Sequence, residues 1–266
     1  MPETIFRAKV LCRNTWLIHG DGCTSYLVVG DNVGVVIDTG FATENIQEFA
    51  QTLTEIPVTI AANTHGHFDH TGGNGWFERA YMSINALEIA KVPYPSKRKL
   101  DYPLDYLVTI VGEGDQIDLG NRVLKVFEIP AHAPSSIAFL DAKERILFSG
   151  DEVAKGVMLY WQQTEPQPTV EQHARNMEKL MVHRNEFNFI CSGHGDGLDD
   201  ASLLDILLEH DRWIMSGNNG NQLEMKRNGP DSPPPEDLVM YQIEYKRASM
   251  YKDTFIGFDV RYIHDK

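Results

Sequence analysis

The feature that most restricts the fold of this chain is a series of short apolar runs that each end in an acidic residue or a histidine. The runs VVI, VTIAANT, VFEIPA, ILFSG and FICSG end at Asp38, His65, His132, Asp151 and His194. Runs of this length, bounded by glycine, aspartate and asparagine, are typical of buried β-strands. Because active sites are commonly built where strand ends meet at one sheet edge, the pattern predicts a sheet-based fold that brings these side chains together.

Helical periodicity separates several of these runs. Apolar spacing predicts helices over residues 42–54, 86–92, 169–183 and 200–215. The strand–helix pattern also repeats weakly, because GVVIDTG with IAANTHGH in the first half resembles ILFSGD with FICSGHGD in the second. This repeat is consistent with two similar αβ halves packed face to face.

The composition changes near residue 216, where the polar, Pro- and Gly-containing segment SGNNGNQLEMKRNGPDSPPPE begins. We therefore predict one main domain over residues 1–216 and a C-terminal extension over residues 217–266. Within the extension, LVMYQIEYK and FIGFDVRYI are apolar enough to form two strands. We expect these strands to pack on the same domain or on a second subunit, so a homodimer is an alternative to a monomer.

Charge and composition restrict the classes of partner. The chain has 24 basic and 38 acidic residues, a formal net charge of -14, whereas nucleic acids and anionic membranes attract basic surfaces. No stretch reaches the roughly 18 consecutive apolar residues of a membrane span, and MPETIFRAKV lacks a secretory pattern. The 3 cysteines are far apart and odd in number, as expected for reduced thiols. We expect a cytoplasmic protein that acts on a small molecule and binds neither nucleic acid nor membrane.

The densest group of metal-type ligands is the sequence HGHFDH at residues 65–70. In an extended segment, His65 and His67 point to the same side and can share one metal ion. Asp69 and His70 then follow a tight turn and can bind a second ion, with neighbouring glycines giving the backbone its freedom. Such a cluster therefore predicts a metal site.

Two complete ligand sets can be assembled from the cluster and the later strand ends. Imidazole nitrogens suit Zn²⁺ and similar metals, and a mixed set of nitrogen and oxygen donors suits a second ion. The candidate sets are His65, His67 and His132, then Asp69, His70 and His194, with Asp151 able to bridge them. The remaining histidines are interpreted as ordinary surface or core residues: His19, His173, His183, His210 and His264.

The sequence THGHFDH resembles the HxHxDH signature of the metallo-β-lactamase fold superfamily, and IDTG, PAH, SGD and SGH resemble its remaining motifs in the same order. The resemblance extends over about residues 5–215. It implies an αβ/βα four-layer sandwich of the α/β class, with a metal site at one edge of the two sheets. It also implies two divalent metal ions, with zinc expected and manganese or iron as alternatives, held by the two ligand sets above with Asp151 bridging. Asp38 is then a structural partner of the site.

The motifs also narrow the reaction that the resemblance implies. β-Lactamases of this superfamily typically lack the bridging aspartate, and flavo-diiron members carry glutamate where this chain has His67. The resemblance therefore favours the glyoxalase II-like and lactonase-like branches, which hydrolyse an ester, thioester or lactone. A hydroxide bridging two metal ions would attack the carbonyl, with Asp69 as the catalytic residue that orients it or moves its proton. The alternatives are a mononuclear iron oxidoreductase of the sulfur dioxygenase type and a metal-free binding module.

Substrate-binding residues stay unknown at this level. Either an aromatic pocket wall or a packed surface loop is compatible with the aromatic residues Tyr94, Tyr102, Tyr106, Tyr160 and Trp161. Likewise, the run Lys97-Arg98-Lys99 fits either an anion-binding group or a solvated turn.

Overall fold

The computed structural model describes residues 4–91, 105–159, 167–223 and 243–266. In chain order the elements are β1 (Arg7–Cys12), β2 (Thr15–Asp21), β3 (Cys23–Val29), β4 (Gly34–Ile37), α1 (Ile46–Gln51), β5 (Val58–Ala62), α2 (Phe68–Thr71), β6 (Arg79–Met82), β7 (Leu107–Ile110), β8 (Gln116–Asp118), β9 (Val123–Glu128), β10 (Ile137–Asp141), β11 (Ile146–Gly150), β12 (Gly156–Met158), α3 (Val170–Met181), β13 (Phe189–Ser192), β14 (Asp199–Asp200), α4 (Ser202–Met215), β15 (Asn221–Gln222), β16 (Lys246–Tyr251) and β17 (Thr254–Asp259). Short 3₁₀ turns cover Gly72–Trp76, Ile84–Ala86, Arg184–Glu186 and Ile243–Tyr245.

Two mixed sheets form the centre of the fold. The first has 7 strands in the order β1-β2-β3-β4-β5-β6-β7, and the second has 6 strands in the order β14-β13-β11-β10-β9-β8. Strands β4 to β7 pair in parallel, and so do β11 and β13. Each main sheet therefore contains one parallel segment, and the two halves of the weak sequence repeat fall in these segments, in β4 and β5 of the first sheet and in β11 and β13 of the second.

Three apolar cores hold the layers together. The inner core joins the facing sheets through residues such as Tyr26 and Ile37 from the first and Phe139 and Phe148 from the second. An outer core packs α1 on the first sheet, and another packs α3 and α4 on the second. Burial of one sheet face by the other sheet and of the opposite face by helices gives the predicted αβ/βα four-layer sandwich.

The C-terminal hairpin extends a small third sheet in the order β12-β17-β16-β15. Strand β17 pairs in parallel with β12, and Ile256 and Phe258 enter the core formed by α3 and α4. The strand predicted over residues 255–263 is present, but it is shorter than predicted because β17 ends at Asp259. The predicted strand over 238–246 is displaced: residues 243–245 form a 3₁₀ turn and β16 begins at Lys246, while 238–242 lie outside the described residues. The division at residue 216 stays a prediction.

Helix α1 is shorter than the helix predicted over residues 42–54. The prediction of a helix over residues 86–92 is wrong for residues 86–91, the part that the structure describes. That part is the end of a 3₁₀ turn followed by hydrogen-bonded turns. Ala86 and Ala90 are buried, but Leu87 and Ile89 are 36% and 41% exposed. The apolar side chains therefore do not share one buried face, which is what stabilises a short helix in a protein. Every helix in the described part of the chain is too short or too polar to span a bilayer.

The side chain of Arg122, which forms a buried ion pair with Asp141 inside the second sheet, also makes hydrogen bonds to the first sheet. The Arg122 guanidinium donates from Nε to Asp141 Oδ2 over 2.6 Å and from Nη2 to Thr15 Oγ1 over 2.6 Å. It also donates from Nη1 to the Asn14 carbonyl over 2.9 Å, and Arg122 is 5% exposed. Removing one member of a buried pair leaves the other charge uncompensated.

We expect Arg122→Ala to lower the free energy of unfolding by about 3–5 kcal/mol, because Asp141 would stay buried without its cation. Urea denaturation measures the change. The matched control is Arg212→Ala, since Arg212 is 61% exposed in its pair with Glu178 and should cost less than about 1 kcal/mol. Equal losses in the two variants would contradict the assignment of Arg122 as the stronger link.

Candidate metal centre

Five strand ends meet at one edge of the sandwich. Asp38 and His65 follow the parallel strands β4 and β5, and Asp151 and His194 follow the parallel strands β11 and β13. Parallel neighbours end at the same edge, so each pair of side chains starts close together. His132 follows β9, which is separated from β11 by one antiparallel strand and therefore ends at that edge as well.

The first predicted ligand set converges on one point. His67 Nδ1 lies 3.0 Å from His65 Nε2 and 3.1 Å from His132 Nε2. Burial lowers the pKa of all three imidazoles below the ordinary value, that of His67 to about 3, and the neighbouring imidazoles lower it further. Each ring is therefore neutral at pH 7 and presents a lone pair, as a metal ligand must.

Outer contacts select which nitrogen faces the centre. His132 Nδ1 donates to the Met158 carbonyl over 2.9 Å, and His65 Nδ1 lies 3.1 Å from Thr64 Oγ1. With Nδ1 engaged, Nε2 of both rings is left to point inward. Such contacts are typical of metal-ligating histidines, because they set the tautomer and the ring orientation.

The second predicted set is more open and carries charge. Asp69 Oδ2 lies 3.4 Å from His194 Nε2 and 3.7 Å from His70 Nε2, and the His194 side chain is 45% exposed. Burial lowers the pKa of His70, but Asp38, Asp69 and Asp151 outweigh it and raise the value to about 9. Hydrogen bonds with Asp151 and Asp69 raise the pKa of His194 to about 10. In the metal-free protein at pH 7, two imidazolium groups therefore partly neutralise the three carboxylates of Asp38, Asp69 and Asp151.

Asp151 lies between the two sets. Its Oδ2 is 3.2 Å from His194 Nε2 and 3.6 Å from His132 Nε2, and its Oδ1 is 3.5 Å from His70 Nε2. Burial raises the pKa of this carboxyl, but His70, His194 and His132 overcome it and hold the pKa well below the usual range. Among the described residues, Oδ1 is a buried side-chain oxygen with no hydrogen-bond partner. A buried carboxylate oxygen that lacks a hydrogen-bond partner and lies between two sets of metal-type ligands fits the binding of a cation.

Asp38 supports the site through contacts with Thr64 and His70. Its carboxylate accepts from Thr64 N over 2.8 Å and from Thr64 Oγ1 over 2.7 Å, and it lies 2.8 Å from His70 Nδ1. It adopts a φ of 56°, which a non-glycine residue takes only with local support. The structure confirms the expectation that Asp38 is a structural partner of the site.

All seven residues predicted as ligands therefore meet at this edge. Ligand atoms within 4.8 Å of one another form three groups: His65, His67 and His132; His65, His70 and Asp151; and Asp69, His70 and His194. The His/Asp clusters fit a metal site, while the identity and number of the ions stay predictions. Sequence analysis assigned no role to Glu152, which hydrogen-bonds to the His132 backbone, or to Gly193, which lies against Asp151. The sequence signals were the place of Glu152 directly after Asp151 and the place of Gly193 within the SGH motif.

The family model described as the metallo-beta-lactamase superfamily matches residues 19–187. The chain belongs to this superfamily. Over 66% of its length, the chain is 28% identical to "Acyl-coenzyme A thioesterase MBLAC2" of Bos taurus, and the match covers 74% of that protein. Over 66% of its length, it is also 28% identical to "Hydroxyacylglutathione hydrolase" of Aliivibrio fischeri (strain MJ11), and the match covers 60% of that protein. The solved "Metallo-beta-lactamase from Pontibacter korlensis" superposes with a TM-score of 0.59 at 20% identity, covering 77% of this chain and 97% of that one, which shows the shared fold.

The aromatic residues considered as a pocket wall in this superfamily member can be placed only in part. Tyr106 is buried, and its hydroxyl lies 3.3 Å from Asn74 Nδ2 and 3.4 Å from the Ala90 carbonyl. Tyr106 thus packs inside the domain. Outside the described residues lie Tyr94, Tyr102, Tyr160, Trp161 and the run Lys97-Arg98-Lys99.

We expect metal binding to this site to release about two protons at pH 7, because a cation must replace the Nε2 protons of His70 and His194. Their pKa values of about 9 and about 10 mean that both protons are bound at pH 7 and are lost as the pH rises through these two values. Release should therefore fall, and affinity should level off, as the pH rises through this range. Calorimetric titration in buffers of different ionisation heat measures the number. His194→Gln should release about one proton fewer, and a heat independent of buffer would contradict the prediction.

Proposed function

We propose that this protein is a dinuclear metal-dependent hydrolase that cleaves an ester-type bond of a small molecule, with a thioester as the first candidate and an oxygen ester or lactone as alternatives. The observation that carries the proposal is the position of Asp151. Its carboxylate contacts both ligand sets, and its buried Oδ1 has no hydrogen-bond partner within the described residues. A bridging ligand is needed only where two ions lie side by side.

The similar proteins support a thioester. One is named an acyl-coenzyme A thioesterase and another a hydroxyacylglutathione hydrolase, and both names describe cleavage of an acyl–sulfur bond. Each matches this chain over 66% of its length. We therefore place the thioester before the lactone in the choice of substrates.

The proposed metal ligands are His65, His67 and His132 for one ion and Asp69, His70 and His194 for the other, with Asp151 shared. Neutral imidazoles favour zinc, with manganese or iron as alternatives. Bound divalent ions would supply an acidified water molecule and would polarise the substrate carbonyl.

Asp69 is the proposed catalytic residue. Burial raises the pKa of its carboxyl, but His70 and His194 outweigh this and hold the pKa below the ordinary value, so Asp69 is ionised at neutral pH. Its side chain is 19% exposed and lies beside the side chain of His194, which is 45% exposed. An ionised carboxylate at the mouth of the site can orient the attacking water, accept its proton and return that proton to the leaving thiolate or alkoxide.

The remaining candidate is a mononuclear iron oxidoreductase of the sulfur dioxygenase type. It would need only one ligand set, whereas all residues of both sets are in place in this chain. That completeness favours two ions and hydrolysis over one ion and oxidation.

The test is elemental mass spectrometry of protein purified without added metal, followed by assays of thioesters, lactones and aryl esters. We expect about two zinc ions per chain and highest activity on a thioester. Chelation should abolish the activity, and added zinc should restore it. About one iron per chain, with oxygen consumption on a persulfide and no hydrolysis, would contradict the proposal and support the alternative.

The proposed partners and location rest on charge and on cysteine content. The net charge of -14 disfavours nucleic acid and anionic lipid, so a small-molecule substrate is proposed. A cytoplasmic location is proposed because the three cysteines are free thiols. The apolar C-terminal strands leave a homodimer as a further proposal, which light scattering of the purified protein can test.

A further inference from the structure

We propose that Glu152 is a positioning residue of the metal centre, whose carboxylate holds the loop that carries His132 against the loop that carries Asp151. The inference rests on the proposed metal-dependent function, because it assigns Glu152 a role toward the predicted ligands. Glu152 directly follows Asp151 and is 1% exposed. Glutamate is rarely buried to this extent unless its carboxyl group is paired.

The carboxylate of Glu152 is directed at the His132 loop. Its Oε2 accepts from the backbone nitrogen of His132 over 2.8 Å and from that of Ala131 over 3.2 Å. Its Oε1 accepts from Asn176 Nδ2 over 3.0 Å, and the Ser136 hydroxyl donates to the same carboxylate. One side chain therefore binds both the start and the end of the loop that contains His132.

These contacts complete the support of His132. The Met158 carbonyl fixes the ring through Nδ1, and Glu152 fixes the backbone from which the ring projects. With both in place, Nε2 lies 3.1 Å from His67 Nδ1 and 3.6 Å from Asp151 Oδ2. Since metal binding requires ligand positions within a few tenths of an ångström, movement of this loop would weaken it.

The main chain of Glu152 is anchored as well. Its carbonyl lies 2.9 Å from His173 Nε2, and His173 Nδ1 lies 2.9 Å from both carboxylate oxygens of Asp211. His173 is in α3, Asp211 is in α4, and both are fully buried. The Asp211 carboxylate orients the imidazole, and the imidazole holds the residue next to Asp151. The two helices are thus joined to both metal loops through Glu152.

Two variants distinguish the effect of the length of the Glu152 side chain from the effect of its charge. Glu152→Asp keeps the charge but withdraws the carboxylate by about one carbon–carbon bond, roughly 1.5 Å, so it can no longer reach the His132 backbone nitrogen. Glu152→Gln keeps the length, and its amide oxygen can still accept from that nitrogen while Asn176 turns its own oxygen toward the new amide. A positioning role predicts that Asp is harmful and Gln is tolerated, whereas a role through charge alone predicts the reverse order.

The measurements are zinc affinity by chelator competition and the visible spectrum of the cobalt-substituted protein, which reports ligand geometry. We expect Glu152→Asp to bind zinc about 10–100-fold more weakly and to show an altered cobalt spectrum, and Glu152→Gln to stay within a few-fold of the parent protein. The control for general destabilisation is Asp141→Asn, which weakens the buried pair with Arg122 at the other end of β10. It should unfold at lower temperature but bind zinc like the parent.

Each outcome decides a different point. Unchanged affinity and spectrum in Glu152→Asp would overturn the positioning role, and so would a Gln variant as weak as the Asp variant. If Glu152→Asp does not fold, the Gln variant decides, because weakened zinc binding in that folded protein would also overturn the role. A parent protein that binds no metal would contradict the proposed function itself.

Discussion

Asp151→Ala is expected to lose metal and most turnover. The variant removes the carboxylate that contacts His70, His132 and His194, so each predicted ion would lose one ligand and the imidazoles would lose their shared anion. We expect at most one ion per chain and turnover lower by roughly 10³-fold or more, since even outer contacts of metal sites are worth about 10–100-fold. Elemental mass spectrometry and steady-state hydrolysis of a thioester measure the two effects.

The control for Asp151→Ala is Asp196→Ala, which removes an exposed carboxylate from the loop that carries His194. This control should keep its metal and its activity, and both variants lose one negative charge. An active Asp151→Ala protein with its full complement of metal would contradict the bridging assignment.

Gly193→Ala is expected to damage the site almost as severely, although glycine supplies no ligand. A Cβ at this position would lie 2.2 Å from Asp151 Oδ1 and 2.7 Å from His70 Cε1, closer than atoms can approach. Gly193 cannot retreat easily, because its nitrogen donates to the Gly150 carbonyl over 2.9 Å and its carbonyl accepts from Thr24 N over 2.7 Å. Asp151 must therefore be displaced within a buried site.

We expect Gly193→Ala to reduce zinc affinity and turnover by about 100-fold or more, with a smaller effect on the unfolding temperature. Gly156→Ala is the matched control, because a Cβ there meets nothing within 4 Å and the backbone needs no positive φ. It should bind zinc and turn over like the parent. Full zinc binding by Gly193→Ala would show that the Asp151 carboxylate has room to move, contrary to the structure.

Local sequence pattern was sufficient to predict the strand ends that carry the residues of this site. Asp38, His65, His132, Asp151 and His194 each follow a short apolar run, and alternation, burial and turn residues act over only a few positions. The parallel and antiparallel pairing then places these ends at one edge. The helices over 169–183 and 200–215 were predictable for the same reason, with observed bounds Val170–Met181 and Ser202–Met215. The helix predicted over residues 86–92 was mispredicted in its described part, residues 86–91, because helical spacing alone does not provide a surface to pack against.

Contacts between distant parts of the chain were decided only by the tertiary structure. The pair of His173 and Asp211 joins residues 38 positions apart, and sequence analysis interpreted His173 as an ordinary histidine. Glu152 accepts from a backbone nitrogen 20 positions before it, and Gly193 has no room for a Cβ, which would lie 2.2 Å from Asp151 Oδ1. The sequence by itself determined the types of ligand and the strands that carry them, because those depend on local patterning. Which groups orient the ligands depends on sheet register and helix packing, and these are set by burial of the whole chain.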